Sequence, residues 1–193
     1  MLGLQLPTDP RWANLAAVSL EEILTDHAYC EQKAATQCIS LIQRYPHYPE
    51  LVDQLAPIVT EEWGHFRMVL AEMRKRQIPL GRQRADAYVN ALMQRQQKGG
   101  DEQGRLLDQL LTCALIEARS CERFRILSEG LEDPYWQRFY RRFMESEAGH
   151  YTLFIQLAKR YIPEMRVNQR WQQWLHWEAE IIASLPLRGD RMH

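Results

Sequence analysis

The sequence predicts an all-α protein: four long helices arranged as two helical hairpins, with a long crossover between them and extra helices at either end. Three observations carry this. Apolar residues recur at helical spacing along most of the 193 residues, and they make up 46% of the chain. Proline pairs and glycines fall where long helices must stop. The connections alternate short, long, short, which is the pattern of two hairpins joined by a crossover rather than of a simple up-down bundle.

The elements follow in order. Asp9-Pro10 predicts an N-cap and a first-turn proline, opening a short helix to about Val18. Ser19-Leu20-Glu21-Glu22 fits a capping box and starts a long helix to about Tyr45, which Pro46 and Pro49 break. The second long helix is expected from about Glu50 to Gln77, with Pro57 causing a kink or a late start. A crossover at about 78–103 holds its own helix, Arg84 to Gln97, before Gly99-Gly100. The third long helix is expected over Gly104 to Glu129 with Gly130 as its C-terminal cap. Asp133-Pro134 starts the fourth, which ends near Tyr161 before Pro163. A last helix at about 168–185 carries Trp171, Trp174, Trp177 and Ile181 on one stripe, and a frayed tail is expected after Pro186. One domain spanning 1–193 accommodates all of this.

Bulk properties narrow the function class. No apolar run approaches the roughly 18 residues needed to cross a bilayer. The first residues carry no basic segment followed by an apolar core, so no signal peptide is expected and a cytoplasmic location is. Cys30, Cys38, Cys113 and Cys121 form no CxxC pair and read as reduced core residues.

The two predicted hairpins repeat one motif. Glu31 is followed by Glu62-Trp63-Gly64-His65, and Glu117 by Glu147-Ala148-Gly149-His150, with Glu-to-Glu spacings that differ by a single position. Seventeen glutamates and six histidines give about half an ExxH pair by chance, so a doubled pair with matched upstream glutamates is informative. Counting outward from the turns sharpens it. Glu31 and Glu62 lie almost equally far on either side of His47, and Glu117 and Glu147 lie equally far on either side of Glu132. At 1.5 Å per residue each glutamate is about 23 Å from its turn, level with its hairpin partner. Within each ExxH the two side chains are one turn apart and can share a face.

Four carboxylates and two imidazoles are the ligand set for two iron or manganese ions between four helices. The expected metal ligands are therefore Glu31, Glu62, His65, Glu117, Glu147 and His150, and the expected cofactor is a di-iron centre using O2. Small neighbours (Ala28, Ala34, Ala35, Cys38, Cys113, Ala114, Ser120, Cys121, with Gly64 and Gly149 before the histidines) are expected to leave room for metals and substrate. His27, four residues before Glu31, is a candidate to lie above the site in a supporting role, and Cys38 and Cys121 are candidates to line the pocket, with core packing as the other reading. Glu61 and Glu145 are expected on solvated faces. If four glutamates bind metal, the net charge of the rest shifts from −1 to +3. A monooxygenase of this kind needs two external electrons per turnover, and the chain has no flavin or nicotinamide motif, so a reductase partner is expected.

The ligand order is that of ferritin-like di-iron proteins, and the wider sequence resembles the bacterial tRNA 2-methylthio-N6-isopentenyladenosine hydroxylase family. Carrying the resemblance are Ala28-Tyr29-Cys30-Glu31-Gln32-Lys33-Ala34-Ala35, Glu61-Glu62-Trp63-Gly64-His65-Phe66, Glu117-Ala118-Arg119-Ser120-Cys121-Glu122-Arg123-Phe124 and Ser146-Glu147-Ala148-Gly149-His150-Tyr151. It covers nearly the whole chain. It implies oxygen-dependent hydroxylation of the isopentenyl group on a hypermodified adenosine beside the tRNA anticodon. The expected tRNA contacts are Arg74, Lys75, Arg76, Arg82, Arg84, Arg138, Arg141 and Arg142, with further clusters at Lys159-Arg160, Arg166 and Arg170. Basic residues near helix C-termini also stabilise the macrodipole without any nucleic acid. The alternatives are hydroxylation of another hydrophobic substrate, such as a quinone precursor, and ferritin-like iron storage.

Overall fold

The computed structural model describes residues 2–193. Among them are seven helices and no strand: α1 (Arg11–Val18), α2 (Leu20–Arg44), α3 (Pro49–Lys75), α4 (Ala87–Arg95), α5 (Glu102–Gly130), α6 (Pro134–Tyr161) and α7 (Glu164–Ser184). No helix is long and apolar enough to cross a membrane among the described residues. The chain falls into two compact units. One holds residues 2–13, 86–187 and 193; the other holds 14–85 and 188–192.

The second unit is built on the hairpin α2–α3. Its core includes Ile23, Leu24, Leu41, Leu51, Leu55 and Val69, all essentially inaccessible. The turn is Tyr45–Tyr48, where the rings of His47 and Tyr48 lie 4.5 Å apart. Helix α3 runs from Pro49 straight through Pro57, so the expected late start does not occur. Proline at the first helical position costs nothing there, because its missing N–H had no intrahelical acceptor. The expected capping box fails at Ser19, whose side chain makes no cap hydrogen bond. Helix α3 closes with two bonds of a Schellman motif: the Gln77 N–H donates to Arg74 (3.1 Å) and the Ile78 N–H to Met73 (2.9 Å). Gln77 takes φ 58°, a left-handed position that glycine usually fills.

The tail is not frayed. Arg84 reaches Asp190 at 3.1 Å, and the Met192 N–H donates to Asp26 at 2.8 Å, which buries the Met192 side chain. Apolar burial and a charge-assisted hydrogen bond offset the entropy of ordering a few residues.

The first unit is built on the hairpin α5–α6. Asp101 and Asp133 cap its two helices through Gly104 and Tyr135. Gly130 is the last residue of α5 rather than a left-handed cap; Leu131 follows it in extended conformation. An aromatic cluster fills the turn end: Phe124 stacks on Tyr140 at 5.9 Å and meets Phe143 at 5.4 Å, and Trp136 stacks on Tyr140 at 5.9 Å. Helix α7 begins at Glu164, earlier than predicted, and packs its Trp174, Leu175 and Ile181 inward. Asp108 of α5 anchors it, accepting two hydrogen bonds from Arg170 (2.7 Å each) and one from Trp174 (3.1 Å). His193 also belongs to this unit, 2.9 Å from Ser120 and stacked on Tyr88.

Candidate metal centre

In the hairpin α2–α3, Glu31, Glu62 and His65 are all buried, and one donor atom from each lies within 4.8 Å of the others. His65 Nδ1 is 3.3 Å from Glu31 Oε2 and 3.5 Å from Glu62 Oε2. Helices α2 and α3 therefore present these residues at one height. His27, one turn before Glu31, places its Nε2 2.7 Å from Glu31 Oε1 and is itself fully buried. Burial alone would depress the basicity of His65, but the hydrogen bonds and charges of Glu31 and Glu62 outweigh it and raise the imidazole to about 10.

In the hairpin α5–α6, Glu117, Glu147 and His150 are likewise buried, with donor atoms within 4.8 Å of one another. His150 Nδ1 lies 3.7 Å from Glu147 Oε2. Cys121, one turn after Glu117, donates to the Met144 carbonyl at 3.3 Å. Burial, with the Glu147 charge behind it, pushes its thiol up to about 11. Cys121 is thus a protonated neighbour of the group at neutral pH. Cys38 and Cys113 are buried and Cys30 is half-buried, and none of them forms a disulfide.

Each hairpin thus offers two carboxylates and one imidazole in a dry setting. Two buried anions per hairpin are costly without compensating cations. A divalent ion supplies that compensation, and the oxygen-rich, nitrogen-poor donor set suits iron or manganese. The residues present fit such a group.

The glycines before the two histidines do not serve as predicted. A Cβ on Gly64 or Gly149 would meet nothing within 4 Å, and Gly149 is exposed. They face outward rather than making room at the ligands. Glu145 is exposed as expected. Glu61 is half exposed, with Oε1 3.9 Å from His65 Nε2.

The basic residues fall into two groups. Arg74, Arg82, Arg138, Arg141 and Arg142 are exposed. Lys75 and Arg76 are exposed but both pair with Glu72 at 2.6 Å, and Arg84 is half-buried against Asp190 and the Glu22 carbonyl. Arg170 is bound to Asp108, Arg166 reaches Asp101 at 3.4 Å and Lys159 reaches Glu164 at 2.6 Å.

Sequence reasoning missed a buried ion network on α5. Arg119 is fully buried; its Nη2 and Nε donate to Glu178 at 2.6 and 2.9 Å, and its Nη1 donates to Glu122 and, at 3.1 Å, to Thr8. Tyr88 donates to Glu178 at 3.2 Å. Burial raises the Glu178 carboxyl despite Arg119. The available signal was α5 itself: a helix apolar on most faces yet carrying Arg119, Glu122 and Arg123 within two turns must bury charges that need partners.

The model of one protein family, described as MiaE, tRNA-(MS2IO6A)-hydroxylase, matches residues 2–193. A Pseudomonas putida protein named tRNA 2-(methylsulfanyl)-N(6)-isopentenyladenosine(37) hydroxylase is 35% identical, covering 97% of this chain and 89% of its own. A Salmonella typhimurium protein of the same name is 28% identical, covering 98% and 87%. Among solved structures, a Synechococcus protein described as having aldehyde deformylating oxygenase activity superposes with a TM-score of 0.93 at 34% identity, over 98% of this chain and 94% of that one. The fold class is all-α and ferritin-like, and the chain belongs to the MiaE family of tRNA hydroxylases.

Proposed function

We infer that this chain hydroxylates the isopentenyl group of 2-methylthio-N6-isopentenyladenosine in tRNA, using O2 at a single di-iron centre held by Glu31, Glu62, His65, Glu117, Glu147 and His150. The observation that carries this is the doubled set of buried Glu, Glu and His, each set within 4.8 Å, in a chain whose family match runs from residue 2 to 193. The tRNA hydroxylase activity rests on that membership and on the named relatives.

An iron pair, when bound, supplies the oxidising power that no side chain has. The protein's residues do the rest. The four carboxylates would balance the metal charge, and His65 and His150 would each contribute one imidazole nitrogen. His27 fixes the orientation of Glu31 through its 2.7 Å contact. Burial of the six residues keeps bulk water away from the place where they would hold the metals. The reaction balances as one C–H bond and O2, with two electrons and two protons, giving C–OH and water. The two electrons come from an external reductase. The chain works as one functional domain over 1–193, and tRNA as substrate suits the cytoplasm. Arg138, Arg141 and Arg142 on the exposed face of α6 are available to phosphates.

The Synechococcus neighbour is described by a different activity on the same fold, so the fold alone does not define the substrate. The test gives anaerobically reduced, iron-loaded protein O2 and tRNA bearing the isopentenyl modification, then weighs the digested nucleosides. A gain of one oxygen on that nucleoside is expected. No gain, with turnover of a fatty aldehyde or a quinone precursor instead, would replace the substrate while leaving the metal reading intact.

A further inference from the structure

The outer face of α3 carries an aromatic that packing within the chain does not explain. Trp63 is 48% exposed, the only tryptophan among the large exposed apolar side chains. It sits beside the ligand Glu62 in sequence but points to solvent, supported by Phe66 at a ring distance of 4.9 Å. An indole held open on a rigid helix is an exposed aromatic face.

Its neighbours share a chemistry. Arg67 lies one turn on and is exposed on the same face, with no hydrogen-bond or ion-pair partner among the described residues. Arg74 continues that face two turns further and is also exposed. Thr60, one turn before Trp63, is exposed as well. Glu72, the acid nearest Arg74 in sequence, is buried and already occupied by Lys75 and Arg76, so it does not neutralise this stripe. Glu61 lies on another side of the helix, turned toward His65.

Gly64 is the second, independent observation. Glycine is a poor helix former, and a helix-interior glycine usually marks a close approach by another group. Here a Cβ would meet nothing within 4 Å, so nothing in the chain requires the gap. The helix surface at Gly64, beside Trp63, is therefore open to an outside group.

We propose that this face is a nucleobase-stacking platform for the substrate tRNA: one base stacks on Trp63, its backbone passes close to Gly64, and Arg67 and Arg74 hold the flanking phosphates. The proposal rests on tRNA being the substrate. The anionic backbone complements the two arginines, and an exposed tryptophan accepts any base because every base has a π-face. The base on Trp63 is not the hydroxylated adenosine, since Trp63 points outward while Glu62 points inward. It is a neighbour whose anchoring fixes the register of the anticodon loop. Trp63 is therefore a positioning residue.

The test uses an anticodon stem-loop RNA bearing 2-methylthio-N6-isopentenyladenosine and the iron-loaded protein. Trp63→Ala is expected to weaken RNA binding and raise KM by about tenfold with kcat nearly unchanged, and Trp63→Phe to recover most of the affinity. RNA should quench wild-type tryptophan fluorescence, and Trp63→Phe should lose that quench while still binding. Arg67→Ala should weaken binding and flatten its salt dependence by about one phosphate contact. Val18→Ala, at another exposed apolar position, should change none of these. Unchanged RNA affinity in folded Trp63→Ala, with normal wild-type turnover, overturns the platform and leaves the activity standing. Unchanged RNA affinity together with a lower sedimenting mass of the RNA-free protein overturns it in favour of a contact between copies of the chain. Absence of wild-type turnover on this RNA overturns both readings together.

Discussion

The two hairpins carry the same order of buried Glu, Glu and His on differently built supports. In α2–α3, His65 approaches both of its carboxylates and His27 backs Glu31 at 2.7 Å. In α5–α6, the position four before Glu117 is Cys113, a thiol, and His150 stands 3.7 Å from Glu147. The wider surroundings reverse this order. Helix α5 is buried on nearly every face and needs the Arg119 network to satisfy its charges, whereas the ion pairs outside the ligand set of α2–α3 sit nearer the surface. A repeated ligand pattern thus does not require a repeated environment. In one hairpin a further imidazole, His27, stands against a candidate ligand; in the other, the buried charges of α5 pair among themselves and with Glu178.

Substitutions can sharpen this contrast. The largest effect belongs to the ligands: Glu62→Ala and His150→Ala are each expected to lose most of the bound iron and to reduce hydroxylation to background, measured by metal analysis and nucleoside mass spectrometry. Equal loss from either hairpin marks one shared centre; retention of full iron in either variant would remove that residue from the ligand set. Next is Arg119→Leu, which strands Glu178 and Glu122 in the core and should cost about 3–5 kcal/mol in denaturant unfolding. Its counterpart in the other unit, Arg84→Met, breaks a partly exposed contact with Asp190 and should cost about 1 kcal/mol or less.

Subtler changes separate the two supports. His27→Ala should weaken metal binding about 10- to 100-fold, while Cys113→Ala should leave it nearly unchanged. Equal effects would mean that the contact from His27 to Glu31 orients nothing. Smallest is a pH effect in metal-free protein. The folded pKa of His65 is raised to about 10, above its ordinary value, so its stabilising contribution is complete below about pH 6.5 and is lost as pH rises through 10. Metal-free protein should therefore unfold at lower denaturant as pH climbs over that range, and His65→Gln should flatten the dependence.

Much of this was legible in the sequence because it depends on periodicity and counting. The long helices end at Pro46 and Pro163, and Glu31 and Glu62 come level because they lie almost equally far from the turn at His47. What was not legible depends on distant partners. Ser19 looks like a cap, but its backbone is not in the extended conformation of a usual N-cap and its hydroxyl makes no cap hydrogen bond. The tail looks frayed by composition, yet Asp26 and Arg84 order it from far away in the chain. Gly64 looks like room for metal, yet it faces outward, because a residue one position from a buried histidine lies about 100° around the helix.

We propose that two dissimilar hairpins supply the ligands of one dinuclear iron centre. Iron content and low-temperature EPR of the oxidised, iron-reconstituted protein test it most directly. Two irons per chain and no ferric signal are expected, because two adjacent ferric ions couple. One iron per chain with an isolated ferric signal in the wild type, or two uncoupled irons, would contradict it.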